Sequence, residues 1–523
     1  MRQLVYRCSN LCNIGREEKM KKTLLCAASL SALALLSLGL PAKASAATVT
    51  KAPGTKTVNI YAKVSAKGAS KKVTTTSAFK YSKIQATASK KTKSGVYDYI
   101  YVNGRPVGWV KESWFTRNKI SAASDVYRVK GDNNFNYKDA LNYVADSHGT
   151  VVSPDSGAVK ASYKKGKLTY SYGKLKKTVN VHWASNPNSA VPASYDQGDF
   201  KLMKGPKEAA STGKHRGTSA KWNPAHRYAP ETTSNSWTSG GLTLRTSLWE
   251  PRNLSLAGSG WQQVGPVEEG LGVNGGWAYS TWYCNSGASD VKNAKGNLVA
   301  FNLPKLNKYT VQYLAPAAYL YKRLNFGTFR NYCANIKVSP YMKLGHGQSI
   351  GVSKNYIYVL ANYNKINNGD NAEEILQIRR SDLQINKMWT IRIKTASGTP
   401  RYFHNATFSG DGTMYGLFHN GRGWYEYWTL KLVDNAWKVV KVTGTKGNFV
   451  KQVAGKSPVQ GFTYGNGNFY VAFNNMIFKV KADGTYQKTW KHVTNRETEG
   501  LAYSGNTFYA QLAQRGEILS GKW

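Results

Sequence analysis

The sequence is poor in cysteine and in acidic side chains. It holds five cysteines in 523 residues, and three of them, Cys8, Cys12 and Cys26, fall within the first 46 positions. Asp and Glu number 28 against 72 Lys and Arg, so the formal net charge is +44. A chain with so few carboxylates has a limited supply of paired acids for hydrolysis, and its charge favours polyanionic partners.

Several kinds of functional motif are also missing. The sequence contains no zinc-ligand cluster, no phosphate-binding loop and no Ser/His/Asp motif, so we predict no catalytic residue, no metal and no cofactor. Beyond Ala46 no apolar run is long enough to span a bilayer, so no transmembrane segment is predicted. An enzyme is therefore not the favoured interpretation, although it stays open.

Residues 20–46 predict secretion. They begin with lysines, continue as a long apolar run and end in small residues, which is the pattern of a signal peptide cleaved after Ala46. The polar residues 1–19 before it indicate that Met20 is the true start. Removal of this leader leaves Cys284 and Cys333, for which a disulfide is expected in an oxidising compartment, with two buried thiols as the alternative.

One short pattern occurs five times in the second half of the chain. Each copy has a polar residue, a small residue, a turn rich in Gly, Asn, Ser or Asp, and then an alternating aromatic strand, as in VEEGLGVNGGWAYSTW at 267–282. The other copies begin near residues 345, 404, 458 and 497. Repeated hairpins at irregular spacing predict a five-bladed β-propeller over residues 236–523. Too little chain follows the last copy for a full blade, so GLTLRTSLW at 241–249 is expected to close the ring.

Alignment of the five copies brings one polar residue from each into register. If this register opens the innermost strand of each blade, the five side chains surround one mouth of the central channel. They either satisfy hydrogen bonds at a crowded axis or form a binding site. The residues are Glu269, Gln348, Asn405, Gln460 and Glu499.

The region ahead of the propeller carries most of the excess charge. Residues 47–230 hold 32 basic and 10 acidic residues, whereas residues 231–523 hold 33 and 16. For a secreted bacterial protein, this charge favours teichoic or lipoteichoic acid, which lysines bind by counterion release, and nucleic acid is not expected. A basic surface that serves only solubility is the alternative.

Short alternating segments between residues 47 and 120 predict a small β-barrel. The run NGRPVGWV at 103–110, followed by ESWF, resembles the GW modules, which are SH3-like modules of Gram-positive surface proteins. The resemblance implies non-covalent attachment to the cell wall. Wall-binding candidates are Lys90, Lys91, Lys93, Lys111 and Trp109, although a barrel this small also needs Trp109 for its core.

Two further segments complete the domain organisation. Residues 123–183 end in GKLTYSYGKLKKTVNVHW, which resembles the final hairpin of small bacterial Ig-like domains and implies a β-sandwich that acts as a spacer. Residues 184–235 are rich in Pro, Ser, Asn, Gly and Lys and predict a linker. The predicted fold class is all-β, with an SH3-like barrel and an Ig-like sandwich before the propeller.

The propeller itself resembles the helveticin family of large bacteriocins. The resemblance is carried by GHGQS at 345–349, DGTMY at 411–415 and ETEGL at 497–501. It implies secreted antibacterial activity against related Gram-positive cells, and together with the GW-like module it predicts a bacteriocin that is held non-covalently at the wall. Two other functions stay open: an adhesin or lectin for surface glycans, and a glycoside hydrolase that would use Glu269 and Glu499.

Overall fold

The fold is described from a computed structural model. The described residues are 48–129, 135–183, 201–210, 230–251, 267–283, 295–314, 317–361, 372–403, 405–421, 423–452, 459–513 and 515–522. They form an all-β protein with a five-bladed propeller, as the sequence predicts. The predicted signal peptide at 20–46 lies outside these residues.

Each blade is a sheet whose four main strands are antiparallel. Blade 1 has β17 (Val267–Asn274), β18 (Trp277–Tyr283), β19 (Lys295–Asn302), β20 (Ile336–Val338) and the short β21 (Met342–Lys343). Blade 2 has β22 (Ile350–Val352), β23 (Tyr356–Ala361), β24 (Glu373–Arg379) and β25 (Ile385–Ile391), and the pair β26 (Ile393–Lys394) and β27 (Pro400–Arg401) follows it. Blade 3 has β28 (Asn405–Phe408), β29 (Met414–Asn420), β30 (Trp424–Val433) and β31 (Ala436–Lys446). Blade 4 has β32 (Gly461–Gly465), β33 (Asn468–Phe473), β34 (Met476–Lys481) and β35 (Tyr486–Lys491).

Blade 5 is assembled from both ends of the propeller sequence. Its last three strands in the chain are β36 (Thr498–Ser504), β37 (Thr507–Leu512) and β38 (Glu517–Gly521). The fourth strand is β16 (Leu242–Trp249), which pairs with β38 and carries β15 (Ser236–Ser239) on its outer edge. The prediction that 241–249 closes the ring is therefore confirmed.

Glycines let the five inner strands crowd around the axis. A Cβ atom on Gly351 would lie 2.1 Å from the backbone nitrogen of Phe408 in the next blade. A Cβ atom on Gly500 would lie 2.6 Å from the backbone nitrogen of Leu271, where blade 5 meets blade 1. Such distances are too short for any side chain, so Gly351 and Gly500 are required by the close approach of blade 2 to blade 3 and of blade 5 to blade 1.

The barrel at the start of the described chain is a six-stranded antiparallel sheet. Its strands are β1 (Val49–Lys51), β2 (Asn59–Ser65), β3 (Gly68–Thr75), β4 (Ile84–Thr92), β5 (Gly95–Val102) and β6 (Arg105–Lys111), in the order β1-β4-β5-β6-β2-β3. Short 3₁₀ turns follow at Thr76–Phe79 and Glu112–Trp114. Trp114 is buried in the core, and its indole nitrogen donates to the carbonyl of Lys56 at 2.9 Å.

The Ig-like sandwich shares a sheet with the propeller. One of its layers contains β7 (Lys119–Ala122), β9 (Leu141–Ala145) and β10 (Val151–Val152), and a 3₁₀ turn at Tyr137–Ala140 directly precedes β9. The other contains β8 (Asp125–Arg128), β11 (Lys160–Lys164), β12 (Lys167–Tyr172) and β13 (Leu175–Trp183). Strand β8 runs parallel to β13 on one side and to β25 of blade 2 on the other, so both belong to one eight-stranded sheet. The expectation of a separate spacer was therefore wrong.

The described parts of the predicted linker also pack on the propeller. Strand β14 (Leu202–Lys204) pairs in parallel with β31 and adds a fifth strand to blade 3. Further on, the backbone nitrogen of Glu231 donates to the Gln312 side chain at 2.9 Å. These segments are therefore bound to the propeller surface, and the other residues of 184–235 lie outside the described chain.

Blade 1 carries a helical insertion between β19 and β20. It contains 3₁₀ turns at Leu303–Lys305, Thr310–Leu314 and Ala317–Arg323, and the helix α1 at Phe326–Ala334. Asn325 caps α1 by accepting from the backbone nitrogen of Thr328 at 2.8 Å. No helix in the described part of the chain is long and apolar enough to cross a membrane.

Candidate functional site

The five aligned polar residues lie at the start of the inner strands. Asn405 opens β28, Gln460 directly precedes β32, and Gln348 lies two residues before β22. Glu269 and Glu499 sit at β-bulges near the start of β17 and β36, where the strand register shifts. A bulge leaves one residue unpaired in the ladder and redirects its side chain, which suits both glutamates for an axial position.

Hydrogen bonds join four of these residues across the axis. The Gln348 amide nitrogen donates to Gln460 Oε1 at 3.1 Å and to Glu499 Oε2 at 2.9 Å. The Asn405 amide nitrogen donates to Gln348 Oε1 at 3.4 Å. Gln348 therefore connects the inner strands of four blades. We call the five residues together the axial ring.

The fifth member, Glu269, contacts Glu499 from blade 1. Burial, followed by the charges of Glu269 and Glu497, raises the pKa of the Glu499 carboxyl well above its ordinary value, while the hydrogen bond from Gln348 acts in the opposite direction. Glu269 and Glu499 are each only 4% exposed. Two carboxyl groups in hydrogen-bonding contact favour a shared proton over two negative charges.

Two further side chains lie beside the ring. Glu497, two residues before Glu499, accepts a hydrogen bond from the Gln460 amide nitrogen at 2.9 Å. His346 Nε2 lies 3.2 Å from Glu269 Oε2. Strand alternation predicts that Glu497 shares the face of Glu499, two residues outside the aligned register, because residues i and i+2 point to the same side. No periodic signal marks His346, since it lies in the turn before β22.

The ring has an excess of acceptors over donors. Its amide nitrogens donate to oxygens within the cluster, whereas the buried Asn405 Oδ1 has no donor in the described structure. Asn405 is fully buried. A buried acceptor without a partner is costly, so this oxygen is a candidate contact for a donor group of a ligand.

The other mouth of the channel contains a cavity of about 270 Å³. It is lined by the far ends of the inner strands and by their hairpin turns, including Asn274, Ser409, Asn466 and Ser504. Tyr464 and Tyr503 add aromatic surface, and Tyr464 stacks on Tyr415 at 4.1 Å between ring centroids. This cavity is separated from the axial ring by the length of the inner strands.

Most of the aromatic residues on these strands pack within and between blades. Trp282 and Trp428 are fully buried, and Tyr358 and Trp424 are nearly so. Trp277 and Tyr356 are half-buried. Their burial shows that these aromatics, which recur at strand period, serve mainly to pack the blades.

The predicted wall-binding residues lie together on the barrel. Lys90, Lys91, Lys93 and Lys111 are exposed, and Lys90 Nζ lies 5.0 Å from the centroid of the Trp109 ring. Trp109 is half-buried and lies outside the core, so the expectation that it fills the barrel interior was wrong. Trp114 has that role, because it sits on the buried side of the barrel.

Trp109 belongs to an aromatic surface on β5 and β6. Its ring centroid lies 5.3 Å from that of Tyr99, and Tyr101 lies 5.8 Å from Tyr99. All three are half-buried, whereas the intervening Ile100 is fully buried. The strand alternation therefore gives this sheet one apolar inner face and one aromatic outer face flanked by lysines. We call Lys90, Tyr99, Tyr101 and Trp109 the aromatic face.

The barrel is packed against the helical insertion of blade 1. The Arg105 guanidinium donates to the carbonyl of Leu324 at 3.0 Å and stands 4.8 Å from the Phe329 ring. Phe79 meets Phe329 at 6.3 Å between centroids. The barrel core and the blade 1 core form one continuous cluster, so barrel and propeller share an apolar interface.

Of the two cysteines predicted to form a disulfide, only Cys333 lies within the described residues. Its thiol is free and buried, and the Asn103 amide nitrogen lies 3.6 Å from the sulfur. Burial raises the pKa of this thiol to about 12. The proposed partner, Cys284, lies outside the described residues. The disulfide therefore stays a prediction, and Cys333 itself lies on α1 at the interface with the barrel.

Comparison with known families identifies the barrel. Residues 43–116 match the model of the GW (Gly-Tryp) dipeptide domain, a cell-wall-associated module. The match confirms the resemblance seen in the sequence and covers nearly all of the predicted barrel. It does not extend to the propeller. A search of the curated proteins found no match to the chain.

Solved structures give only loose likenesses. The chain is similar to a gluconolactonase from Xanthomonas campestris, at 8% identity over 57% of this chain and 98% of that chain, with a TM-score of 0.27. It is similar to a luciferin-regenerating enzyme at 11% identity, 54% and 96% coverage and a TM-score of 0.29. It is also similar to BamB from Moraxella catarrhalis, at 9% identity over 56% of this chain and 99% of that chain, with a TM-score of 0.23. Likenesses this weak support no argument about activity, so the fold description rests on the strand pairing.

Proposed function

We propose that the protein is a secreted antibacterial binding protein of a Gram-positive bacterium, held non-covalently at the cell wall. In this proposal the barrel binds wall teichoic or lipoteichoic acid, and the propeller contacts surface glycans of target cells through the axial ring. The helveticin-like motifs of the propeller support the antibacterial part. The match to the GW domain supports the wall association.

The aromatic face of the barrel is the observation that carries the proposal. A lysine ammonium over a tryptophan ring, next to two half-buried tyrosines and three further exposed lysines, offers both charge and stacking surface. Polyanionic chains with sugar units use both kinds of contact. Binding of this kind weakens steeply as salt rises, because condensed counterions are released on binding.

The test is retention of the mature protein on purified Gram-positive walls across a salt series. A plot of log affinity against log salt has a negative slope, and each bound lysine contributes about 0.7 to its steepness. Replacing Lys90, Lys91, Lys93 and Lys111 by Gln should therefore make the slope less steep by roughly 3. A matched control replaces the exposed Lys431, Lys438, Lys441 and Lys451 of the propeller, which changes net charge equally. Equal losses in both variants would show that net charge alone governs binding. The same retention assay on walls stripped of teichoic acid tests the proposed partner, and retention should fall on these walls.

A surface adhesin or lectin is the second candidate, and the acceptor-rich ring favours it over a hydrolase. Glycoside hydrolysis needs two carboxyl groups about 5–9.5 Å apart, on either side of the bond. Glu269 and Glu499 are instead in hydrogen-bonding contact. Binding, lysis and growth scored together on a panel of Gram-positive cells separate killing from adhesion. Release of reducing sugar, lost in an E269Q/E499Q variant, would favour the hydrolase.

A further inference from the structure

The axial ring combines negative charge, burial and unused acceptors in a strongly basic protein. We propose that its ligand is an organic ammonium group, such as the protonated amine of an amino sugar, and that an uncharged hydroxyl is not sufficient. This inference rests on the proposed role of the ring as a binding site and specifies the chemistry of its ligand.

The charge of the ring is the first argument. Glu269, Glu497 and Glu499 gather there although the chain has only 28 acidic residues against 72 basic ones. Among the described residues, the basic side chain in contact with Glu269 or Glu499 is His346, whose Nε2 lies 3.2 Å from Glu269 Oε2 and which is charged only when protonated. Placing carboxylates side by side in a buried site is unfavourable unless a cation or a proton is bound between them.

Hydrogen bonding gives the second, independent argument. The two hydrogens of the Gln348 amide are engaged by Gln460 and Glu499, and the amides of Gln460 and Asn405 also donate within the cluster. The amide oxygen Asn405 Oδ1 is buried and has no partner in the described structure, whereas each of the three amide nitrogens already donates. An ammonium group brings three donors and a positive charge, whereas a hydroxyl brings one donor and no charge.

The exposure of the cluster defines how a ligand enters. Glu269, Asn405 and Glu499 are buried, while Gln348 and Glu497 are half-buried and the His346 side chain is 43% exposed. We therefore expect a small cationic head group to enter from the side of His346 and Gln348, the more exposed side chains beside the carboxyl pair. The site suits one such group at the end or side of a glycan, because the inner strands are packed closely below it.

A metal ion is the competing cation, and the arrangement of the ligands disfavours it. The described residues contain no group of three or more His, Cys, Asp or Glu side chains placed to hold a metal. Amide nitrogens of Gln348 and Gln460 point at the carboxylates and occupy positions that a metal would need for its oxygen ligands. Calcium is therefore included in the experiment as a competitor.

The experiment is a calorimetric titration of the mature protein at neutral pH with three matched sugars. D-glucosamine carries an ammonium, N-acetyl-D-glucosamine carries a neutral amide at the same carbon, and D-glucose carries a hydroxyl there. We expect glucosamine to bind at least tenfold more tightly than the other two. E269Q and E499Q should each weaken glucosamine binding at least tenfold, while the control E208Q, at an exposed residue, should leave it unchanged.

The possible results separate this inference from the proposed function. Equal binding of the three sugars, lost in the same variants, would overturn the ammonium ligand and keep the ring as a glycan site. Binding of calcium but not of glucosamine would also overturn it. If no probe binds while wall retention persists, both the ammonium ligand and the ring as a binding site are wrong. Glucosamine binding that survives E269Q and E499Q, each shown to be folded by its thermal unfolding, would refute the assignment to the ring.

Discussion

Replacing Glu499 by Gln should stabilise the protein at neutral pH. The Glu499 carboxyl is buried beside Glu269 and Glu497, and these surroundings raise its pKa well above the ordinary value. Glutamine keeps the shape of the protonated acid. It can still accept the hydrogen bond from the Gln348 amide, and its own amide can donate to Glu269 in place of the shared proton.

The sign of the pH dependence follows from proton binding. A carboxyl whose pKa is higher in the folded state than in the unfolded state binds more protons when folded, so its unfavourable contribution appears as pH rises above about 4.3. Wild-type stability should therefore fall, relative to E499Q, as pH rises through the folded pKa. A tenfold difference in proton affinity corresponds to about 1.4 kcal/mol. We expect E499Q to be more stable by at least about 1.4 kcal/mol at pH 8 and to match the wild type near pH 4.

Urea unfolding at a series of pH values measures this difference. The variant E208Q removes the same charge from an exposed position and serves as the reference, since loss of any acid from a basic protein changes its overall repulsion. A constant difference between E499Q and E208Q at every pH would refute the argument. Lower stability of E499Q at pH 8 would show that the protein holds Glu499 in its charged form, as a permanently bound cation would require.

Two further predictions test the packing. In the mature protein carrying C284A, Cys333 should resist thiol reagents at pH 8 until the chain unfolds, because burial raises the pKa of its thiol to about 12; prompt labelling of the native protein would contradict this burial. G351A should lower the free energy of unfolding by about 1–3 kcal/mol in urea, because the new methyl group overlaps the backbone of Phe408. In the control G410A the new methyl group meets no atom within 4 Å, so the free energy of unfolding should hardly change. Equal losses of stability in both variants would show that the close approach of blades 2 and 3 does not require the glycine.

The propeller could be predicted because each hairpin carries its own local signals. Turn residues such as Gly275 and Gly276 adopt positive φ, and the flanking strands alternate. The register of Glu269 and Glu499 also followed from the repeat, since equivalent positions in a propeller lie at equivalent places around the axis. Closure by 241–249 followed from counting strands.

The errors concern contacts between segments that are distant in the sequence. Nothing in Asp125–Arg128 indicates that this strand pairs in parallel with blade 2, because parallel pairing leaves no turn motif. The docking of Leu202–Lys204 on β31 depends on a free sheet edge that only the folded blade provides. Trp109 was expected in the core because a small barrel needs a large apolar residue. Strand alternation instead places its side chain on the outer face of the sheet. Each of these outcomes depends on the tertiary structure more than on local sequence preference.

The packing of the barrel on blade 1 determines how wall attachment can be tested. Deleting residues 47–120 would appear to isolate the propeller, but it would expose Phe329 and Cys333 at the interface with Phe79 and Asn103. A shorter fragment that starts at 236 would also remove β8 from the edge of blade 2 and β14 from blade 3. Lost retention in such fragments would mix a folding defect with a binding defect. The lysine substitutions on the exposed side of the barrel leave both interfaces intact, so their effect on retention reports on wall contact.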